Sequence, residues 1–307
     1  MPTILPTTET SVPPSKFDES RFLTDLTHLC TTLSIPLPLP STLHTLHTYT
    51  AAFHSAAVLW RYTSKPNSSL TPAVTCSPPL LSLTHPLLPL LRFWTALYPE
   101  SPPIQSCDFD AATGALAKTW LFLRGVRALD DILSGDAVPE ALKSCKPRFE
   151  NLGLDKVRHL AVDWTGGTVN LYFLVPGSFS TEQVTGHLSL LERGPPSAES
   201  IQELEKLLPK QGYTFAVTVD VGTGEVKRVA YYVMGIPDDR MPDLGKWMRG
   251  FGENAKSWDR EGLEGLVWAF GRGVHGLAAR DYYKWERSYC GELRGLLRGW
   301  GAPLMEG

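Results

Sequence analysis

The sequence predicts an α+β protein in which ten antiparallel strands close into a single β-barrel with a ring of α-helices outside. Three hairpins support this prediction, because a turn rich in Thr and Gly separates the β-rich segments 107–110 and 117–122, 159–164 and 168–173, and 213–219 and 227–232. The hairpins recur at similar intervals, since Lys118 to Asn170 is 52 residues and Asn170 to Arg228 is 58. Segments 56–62, 266–270 and 281–286 extend the pattern to five copies of an αββα unit.

Segments with helical periodicity lie around these strands. Apolar residues recur at helical spacing from Phe17 to Leu33, which predicts a first helix there. We expect further helices over 41–53, 86–97, 181–192, 197–208, 243–253 and 289–300. The strands are apolar on both faces, so the helices must cover the outer face of the sheet. A barrel of ten strands also leaves a chamber that a smaller barrel would fill with side chains.

The bulk composition limits the partners of the chain. Residues 1–15 are rich in Pro and Thr and are expected to form a disordered tail, with the barrel domain spanning 16–307. A formal net charge of −3 gives no positive field for nucleic acid. The sequence shows neither a signal peptide nor a long apolar run for a membrane span. The five scattered cysteines are typical of reduced thiols, so we expect a cytoplasmic protein, and a monomer.

Basic residues alternate with aromatic ones along the second strand of each hairpin. If these positions face inward, the chamber receives Lys118, Trp120 and Phe122; Thr168, Asn170 and Tyr172; Arg228, Ala230 and Tyr232; and Tyr282, Lys284 and Glu286. Arg61, in the first strand, adds a fourth basic residue from a separate repeat. Too few acids share these faces to neutralise the four, so a polyanion such as a diphosphate is expected to bind there. The alternative is that each basic side chain extends to water at a barrel mouth.

The aromatic residues suggest a second half of the chemistry. Trp120, Tyr172 and Tyr232 share faces with the cations or with Asn170. Aromatic ring faces attract positive charge, including an allylic carbocation, and they exclude the water that would quench it. The alternative for each ring is ordinary core packing.

Arg158 and Glu286 form a separate pair of interest. Together they could bind or deprotonate a phenolic or acidic aromatic substrate, or they could form a structural salt bridge. The chain carries no DDxxD pair of acids for Mg²⁺, no phosphate-binding Walker loop and no GxGxxG or GxSxG motif. We therefore expect no metal and no cofactor.

Several motifs together resemble the ABBA-type soluble aromatic prenyltransferases, and in particular the branch of the clorobiocin- and naphterpin-pathway enzymes. They are Cys-Asp-Phe-Asp at 107–110, Ala-Lys-Thr-Trp at 117–120, Ala-Val-Asp-Trp at 161–164 after Val157-Arg158, Asn170-x-Tyr172-Phe173, and 281–289, Asp-Tyr-Tyr-Lys-Trp-Glu-Arg-Ser-Tyr. The resemblance covers about residues 16–303 and keeps the order of the motifs.

The resemblance implies a prenyltransferase (PT) barrel that moves a prenyl group from an allylic diphosphate, such as dimethylallyl diphosphate, to an electron-rich aromatic carbon. The implied diphosphate-binding residues are Arg61, Lys118, Asn170, Arg228 and Lys284. Tyr172 would shield the cation, and Arg158, Thr214 and Glu286 would contact the aromatic substrate. Glu286, Lys118 and Arg228 are the candidate catalytic residues, with Glu286 or the released diphosphate as the base.

Two positions and the length of one hairpin depart from the family pattern. Thr71 stands where the naphterpin-type enzyme has a magnesium-binding aspartate, which favours metal independence. Ala216 replaces a further diphosphate-binding tyrosine, and the hairpin Gly271–Arg280 is longer than in the clorobiocin-type enzyme. Two other hypotheses stay open: a non-catalytic barrel that binds an isoprenoid diphosphate or another hydrophobic anion, and an interaction protein that only shares the repeat.

Overall fold

The computed structural model describes residues 16–64, 71–74, 84–110, 113–192, 196–271, 282–299, 302 and 304–305. Within them, ten strands pair into one closed antiparallel ring in the order β1-β10-β9-β8-β7-β6-β5-β4-β3-β2. The strands are β1 (Val58–Thr63), β2 (Thr71–Val74), β3 (Ile104–Phe109), β4 (Leu116–Ala128), β5 (Lys156–Asp163), β6 (Thr168–Pro176), β7 (Gly212–Asp220), β8 (Val226–Met234), β9 (Glu264–Gly271) and β10 (Tyr282–Cys290).

Helices precede, separate and follow the strand pairs. They are α1 (Glu19–Leu33), α2 (Leu39–Thr48), α3 (Thr50–Ser55), α4 (Leu88–Ala96), α5 (Leu129–Leu133), α6 (Glu140–Lys143), α7 (Lys146–Glu150), α8 (Thr181–Ser189), α9 (Ala198–Leu207), α10 (Lys246–Asn254) and α11 (Leu293–Gly299). The expected antiparallel sheet that curls into a barrel with helices is therefore present. In the described part of the chain, no helix combines the length and apolar character that crossing a membrane requires.

Hairpin turns of one chemistry fix the register of the strands. Between β7 and β8, the Asp220 carboxylate accepts hydrogen bonds of 3.0 Å from the backbone N–H groups of Gly222 and Thr223. Gly224 ends the turn at φ +72°, in the left-handed region, and a Cβ there would lie 2.4 Å from the carbonyl oxygen of Ala141. Because a turn of fixed geometry sets which residues face each other, it also sets which side chains point inward.

The sheet separates two packed regions. Outward side chains of the strands pack with the helices in the main core, which includes Leu121, Leu160, Phe173 and Tyr231. Inward side chains form a separate, smaller cluster of Trp120, Ala161, Tyr172, Ala216, Ala230, Val267 and Ala269. Small residues at four of these positions leave the chamber open between the larger rings.

Some element predictions were wrong. The expected helix 289–300 begins later, because Tyr289 and Cys290 end strand β10 and the helix starts at Leu293. Tyr289 is fully buried, with its hydroxyl donating to Asp25 at 3.0 Å, and this packing favours the extended chain. The segment 41–53 forms two helices rather than one, and the short helices between β4 and β5 were not expected. The tail 1–15 and residues 272–281, with the longer hairpin, lie outside the described residues.

Candidate active site

The four basic residues predicted to meet in the chamber line one cavity of about 230 Å³. We call it the polar cavity. Its charged and polar lining residues are Arg61, Asp108, Lys118, Asp163, Asn170, Tyr172, Thr218, Arg228, Tyr232, Tyr282 and Lys284. Strand pairing explains the convergence, because Lys118 lies opposite Asp108 and Asp163, and Arg228 lies opposite Thr218. Residues from strands far apart in the sequence thus surround one space.

Arg61 joins two of the acids in this cavity. Its Nη1 contacts the Asp108 carboxylate, and its Nε donates to Oε1 of Glu286 at 2.9 Å. Burial opposes the charge of the guanidinium, but the two carboxylates outweigh burial and raise the pKa of Arg61. Asp108 also accepts a hydrogen bond of 3.1 Å from Nε1 of Trp120.

A hydrogen-bonded chain runs from Glu286 across the lumen. Nζ of Lys284 lies 2.7 Å from Oε1 of Glu286 and donates to the Tyr232 hydroxyl at 3.3 Å. The hydroxyls of Tyr232 and Tyr172 are 3.5 Å apart, and the side-chain amide of Asn170 donates to Tyr172 at 3.3 Å. All residues of this hydrogen-bonded series except Glu286 line the polar cavity. An anion placed there therefore meets donors already oriented by their neighbours.

Lys118 and Arg228 are less tightly paired. Nζ of Lys118 lies 3.6 Å from Oδ2 of Asp163, and Nη2 of Arg228 donates to the Thr218 hydroxyl at 3.3 Å. Burial and the nearby charge of Arg228 lower the pKa of Lys118 to about 8, against the opposing effect of Asp163. Two partly buried cations close enough to repel each other form a site that an anion would stabilise.

More acids accompany these cations than the second strands alone indicated, although they remain fewer than the cations. Asp108 and Asp163 line the same cavity, and Glu286 lies beside it, so three carboxylates face four cations. The sequence reasoning followed only the second strand of each hairpin, whereas Asp108 and Asp163 lie on first strands. The cross-strand position of each, opposite Lys118, was the signal that could have identified them.

A second cavity of about 80 Å³ adjoins the first, and we call it the apolar cavity. Its apolar lining includes Leu59, Phe122, Met234, Leu293, Leu297 and Ala302, and Ser106, His159, Thr214 and Glu286 add polar groups. Four residues line both cavities: Arg61, Trp120, Tyr172 and Tyr232. The three predicted shielding rings therefore stand at the junction between a charged space and an apolar one.

Trp120 holds the centre of this junction. Its ring lies 5.3 Å from the guanidinium carbon of Arg61, 5.7 Å from Nζ of Lys118 and 5.4 Å from Nζ of Lys284. The Tyr172 ring packs against it at 5.0 Å between centroids. The Trp120 ring thus lies within reach of three cationic groups, at a distance where a ring face and a positive charge attract each other.

The three residues assigned to the aromatic substrate are not equally placed. Thr214 and Glu286 line the apolar cavity, but Arg158 is not among the described residues that line either cavity. Arg158 lies where the β5–β6 register shifts, between Val157, opposite Phe173, and His159, opposite Tyr172. His159, which was not singled out, takes the inward position instead. A bulge of this kind has no signature in the sequence.

The surroundings of Glu286 bear on its basicity. Burial alone would raise the pKa of this carboxyl, but the charges of Lys284 and Arg61 outweigh burial and lower it to about 2. A carboxylate with so low a pKa is a weak proton acceptor.

Two of the departures from the family pattern lie among the described residues. Ala216 lies on the wall of the polar cavity, and the backbone of Thr71 pairs with that of Arg61.

Comparisons with known proteins place the chain in a family. The family model for the aromatic prenyltransferase Orf2 matches residues 17–301. An aromatic prenyltransferase of Sclerotinia sclerotiorum is 39% identical over 95% of this chain and 97% of its own length. A 4-hydroxyphenylpyruvate 3-dimethylallyltransferase of Streptomyces niveus is 35% identical over 93% of this chain and 89% of its own length.

Solved structures with little sequence identity share the fold. The PriB complex with product diphosphate superposes with a TM-score of 0.54 at 13% identity, covering 88% of this chain and 95% of PriB. A 6-dimethylallyl tryptophan synthase gives 0.55 at 12% identity, covering 89% and 96%. Because a matching family model and close relatives extend over almost the whole length, the chain belongs to the aromatic prenyltransferase Orf2 family and is a transferase with the barrel fold of the ABBA prenyltransferases.

Proposed function

We propose that the protein transfers a dimethylallyl or other short prenyl group from an allylic diphosphate to an electron-rich carbon of a phenolic or hydroxynaphthalene-type acceptor, without a metal ion. The observation that carries the proposal is the junction of the two cavities. A space lined by Arg61, Lys118, Arg228 and Lys284 opens, past three aromatic rings, onto an apolar space. An allylic diphosphate has a charged diphosphate end that needs the first space and an apolar prenyl end that needs the second.

The diphosphate would bind in the polar cavity. Lys118, Arg228 and Asn170 supply donors there, and Arg61 and Lys284 supply further charge beside Trp120. Charge-assisted hydrogen bonds to phosphate oxygens are among the strongest that side chains make. Structural relatives support a diphosphate ligand: PriB was solved with its product diphosphate, and a 5-dimethylallyl tryptophan synthase of Streptomyces coelicolor was solved with DMASPP and Trp.

Ionisation of the donor would place the allylic cation at the junction. Cleavage of the C–O bond leaves both bonding electrons on the diphosphate, whose growing negative charge the basic residues stabilise. The positive allyl group then lies beside Trp120, Tyr172 and Tyr232, whose ring faces attract cations and whose bulk excludes water. The strand register brings these three rings together.

The acceptor ring would attack from the apolar cavity. A ring carbon forms the new C–C bond, and the proton on that carbon then leaves to restore aromaticity. Two groups are available to take it, Glu286 and the released diphosphate. The contacts of Glu286 with Arg61 and Lys284 keep it a weak base in the empty site, which favours the diphosphate. If the diphosphate draws either cation away, the basicity of Glu286 rises.

Metal independence is part of the proposal. Mg²⁺ can neutralise a leaving diphosphate, and here the four basic side chains that line the polar cavity would fill that role. We further propose that residues 16–307 form one domain built from αββα units. The alternation of strand pairs with helices, and the pairing of β1 with β10 across the whole chain, support this.

A mass-spectrometric screen tests the reaction directly. The full chain is incubated with dimethylallyl or geranyl diphosphate and with dihydroxynaphthalenes, hydroxyphenylpyruvate or indoles. The expected result is a product heavier by one prenyl group with a phenolic acceptor, formed over many turnovers. Lys118→Ala serves as the matched control for contaminating activity, because it changes one residue of the polar cavity. Binding of donor without any product would instead favour a non-catalytic barrel.

A further inference from the structure

A histidine of β5 lies in the wall of the apolar cavity, and no role was assigned to it from the sequence. The centroid of the His159 ring is 4.8 Å from that of Phe122 and 6.0 Å from that of Tyr172. Its cross-strand partners are the same two residues. The imidazole is therefore held between two aromatic side chains at the acceptor end of the chamber.

The imidazole carries no charge in the working range of pH. Burial first, and then the charge of Arg158, lower the pKa of His159 to about 3, against the opposing effect of a contact with the Arg158 backbone. Its Nδ1 is buried without a hydrogen-bond partner in the described part of the chain. A neutral imidazole has one N–H donor and one lone-pair nitrogen, so it both offers and accepts a hydrogen bond. A ring with one nitrogen unsatisfied, at the wall of a cavity, favours a ligand that carries a hydroxyl.

The other polar groups of this cavity set a charge preference. Of the described residues that line it, Arg61 is the cation, and Asp108 and Glu286 already bind its guanidinium. Glu286 itself faces the cavity as a carboxylate, and Thr214 contributes a hydroxyl. A carboxylate on the acceptor would therefore meet a like charge and two neutral groups. An uncharged hydroxyarene would meet no electrostatic penalty.

We propose that His159 binds the hydroxyl group of the acceptor and that the apolar cavity selects uncharged hydroxyarenes over aromatic carboxylates. This inference rests on the proposed prenyl transfer and names its acceptor class. It separates the chain from its relative in Streptomyces niveus, whose name specifies 4-hydroxyphenylpyruvate, a keto acid. This distinction rests on the finding that His159, and not Arg158, takes the inward position on β5.

Two substitutions test the role of His159 with the full chain. In steady-state assays with dimethylallyl diphosphate and a dihydroxynaphthalene, His159→Leu is expected to raise the acceptor KM about three- to tenfold, the effect of one lost hydrogen bond. The donor KM should stay within about twofold. His159→Gln keeps a hydrogen-bonding group and should restore most of the loss. A purely structural role would not give this split between the two variants.

His187 provides the matched control. It is also a buried histidine, with a pKa that burial lowers to about 4, but it lies in α8 on the outer side of the sheet and contacts Tyr231. His187→Leu should lower the melting temperature and leave the acceptor KM unchanged. An unchanged acceptor KM in folded His159→Leu would overturn the assignment.

A matched pair of acceptors tests the selectivity. Wild type is expected to prenylate a dihydroxynaphthalene with a kcat/KM at least about tenfold above that of the corresponding hydroxynaphthoic acid. His159→Arg should narrow that ratio by adding a positive charge. Preference of the wild type for the acid would refute the inference while leaving prenyl transfer established.

If the wild type transfers no prenyl group at all, the proposed function fails and binding still decides the inference. Equilibrium dialysis of the dihydroxynaphthalene with inorganic pyrophosphate present should then show binding to wild type, weakened in His159→Leu. Equal binding to both proteins would overturn the assignment of His159.

Discussion

The Nζ atom of Lys118 lies 3.6 Å from Oδ2 of Asp163, its cross-strand neighbour on β5. This pair stands within the field of Arg228, and burial together with that positive charge lowers the pKa of Lys118 to about 8. Asp163 opposes the shift but does not cancel it. Lys118 is thus the cation of the polar cavity whose charge depends on pH near neutrality, and this has a measurable consequence.

Donor binding should weaken as pH rises through about 8. Below that pH, Lys118 is protonated in the empty site, and above it the ammonium is lost, so a diphosphate loses one charged contact. We expect the donor KM to rise about tenfold between about pH 8 and pH 9.5, measured by initial rates at saturating acceptor. Lys118→Arg should remove this rise, because a guanidinium stays charged throughout the range. An equal pH dependence in that variant would contradict the assignment.

Removal of either weakly paired cation should slow ionisation of the donor. Lys118→Ala or Arg228→Ala deletes one charge-assisted contact worth roughly 1.5–3 kcal/mol, or about 10- to 150-fold in rate. Most of the loss should appear in kcat, because charge on the leaving diphosphate grows in the transition state. Lys227→Ala is the control, since Lys227 neighbours Arg228 in sequence but pairs with Glu225 at the hairpin turn. Full activity in both cavity variants would refute the polar cavity as the donor site.

Glu286→Gln distinguishes the two candidates for the proton acceptor. The pKa of Glu286 near 2 means that its carboxylate is ionised throughout the usual range, so any effect is independent of pH. We expect a fall in kcat of about tenfold or less, from disturbed positions of Arg61 and Lys284, with the released diphosphate as base. Glu203→Gln, which alters a partner of Trp268 and Tyr283, is the control. A loss of more than about a thousandfold would assign proton removal to Glu286.

Turnover should not require a divalent ion. Prenyl transfer measured in excess EDTA is expected to stay within about twofold of the untreated rate, because the basic side chains neutralise the leaving group. Added Mg²⁺ should give no further gain. Complete loss of product in chelator, with recovery on addition of Mg²⁺, would show that a metal takes part.

Alternation along a strand was the part of the site that the sequence could predict. Once the Asp and Gly turns fix the hairpins, the period of two places Lys118, Asn170, Arg228 and Lys284 on one face, and all four line the polar cavity. Asp108 was within reach of the same reasoning, because the β3–β4 turn places it opposite Lys118. Asp163 was harder, because it faces Lys118 across β4 and β5, whose register depends on pairing in the sheet rather than on a turn.

Tertiary packing decided the features that the pattern could not. The bulge at Arg158 depends on how β5 sits between β4 and β6, and only the folded sheet reveals that His159 points inward. Strand β2 has four residues and includes Pro72, too little for periodicity to detect. At Tyr289, burial against Phe22 and Trp60 extends strand β10 where the sequence suggested helix.

The bond between Arg61 and Glu286 joins residues 225 positions apart, on the first and last strands of the ring. The ring is not closed until β10 pairs with β1, so a nascent chain completes its lumen only after β10 has been synthesised. Contacts so distant in sequence also make barrel closure a slow, late step in folding. Until that step, β1 and β10 present unpaired edges to other chains, and closure removes both edges at the moment it assembles the ion pair.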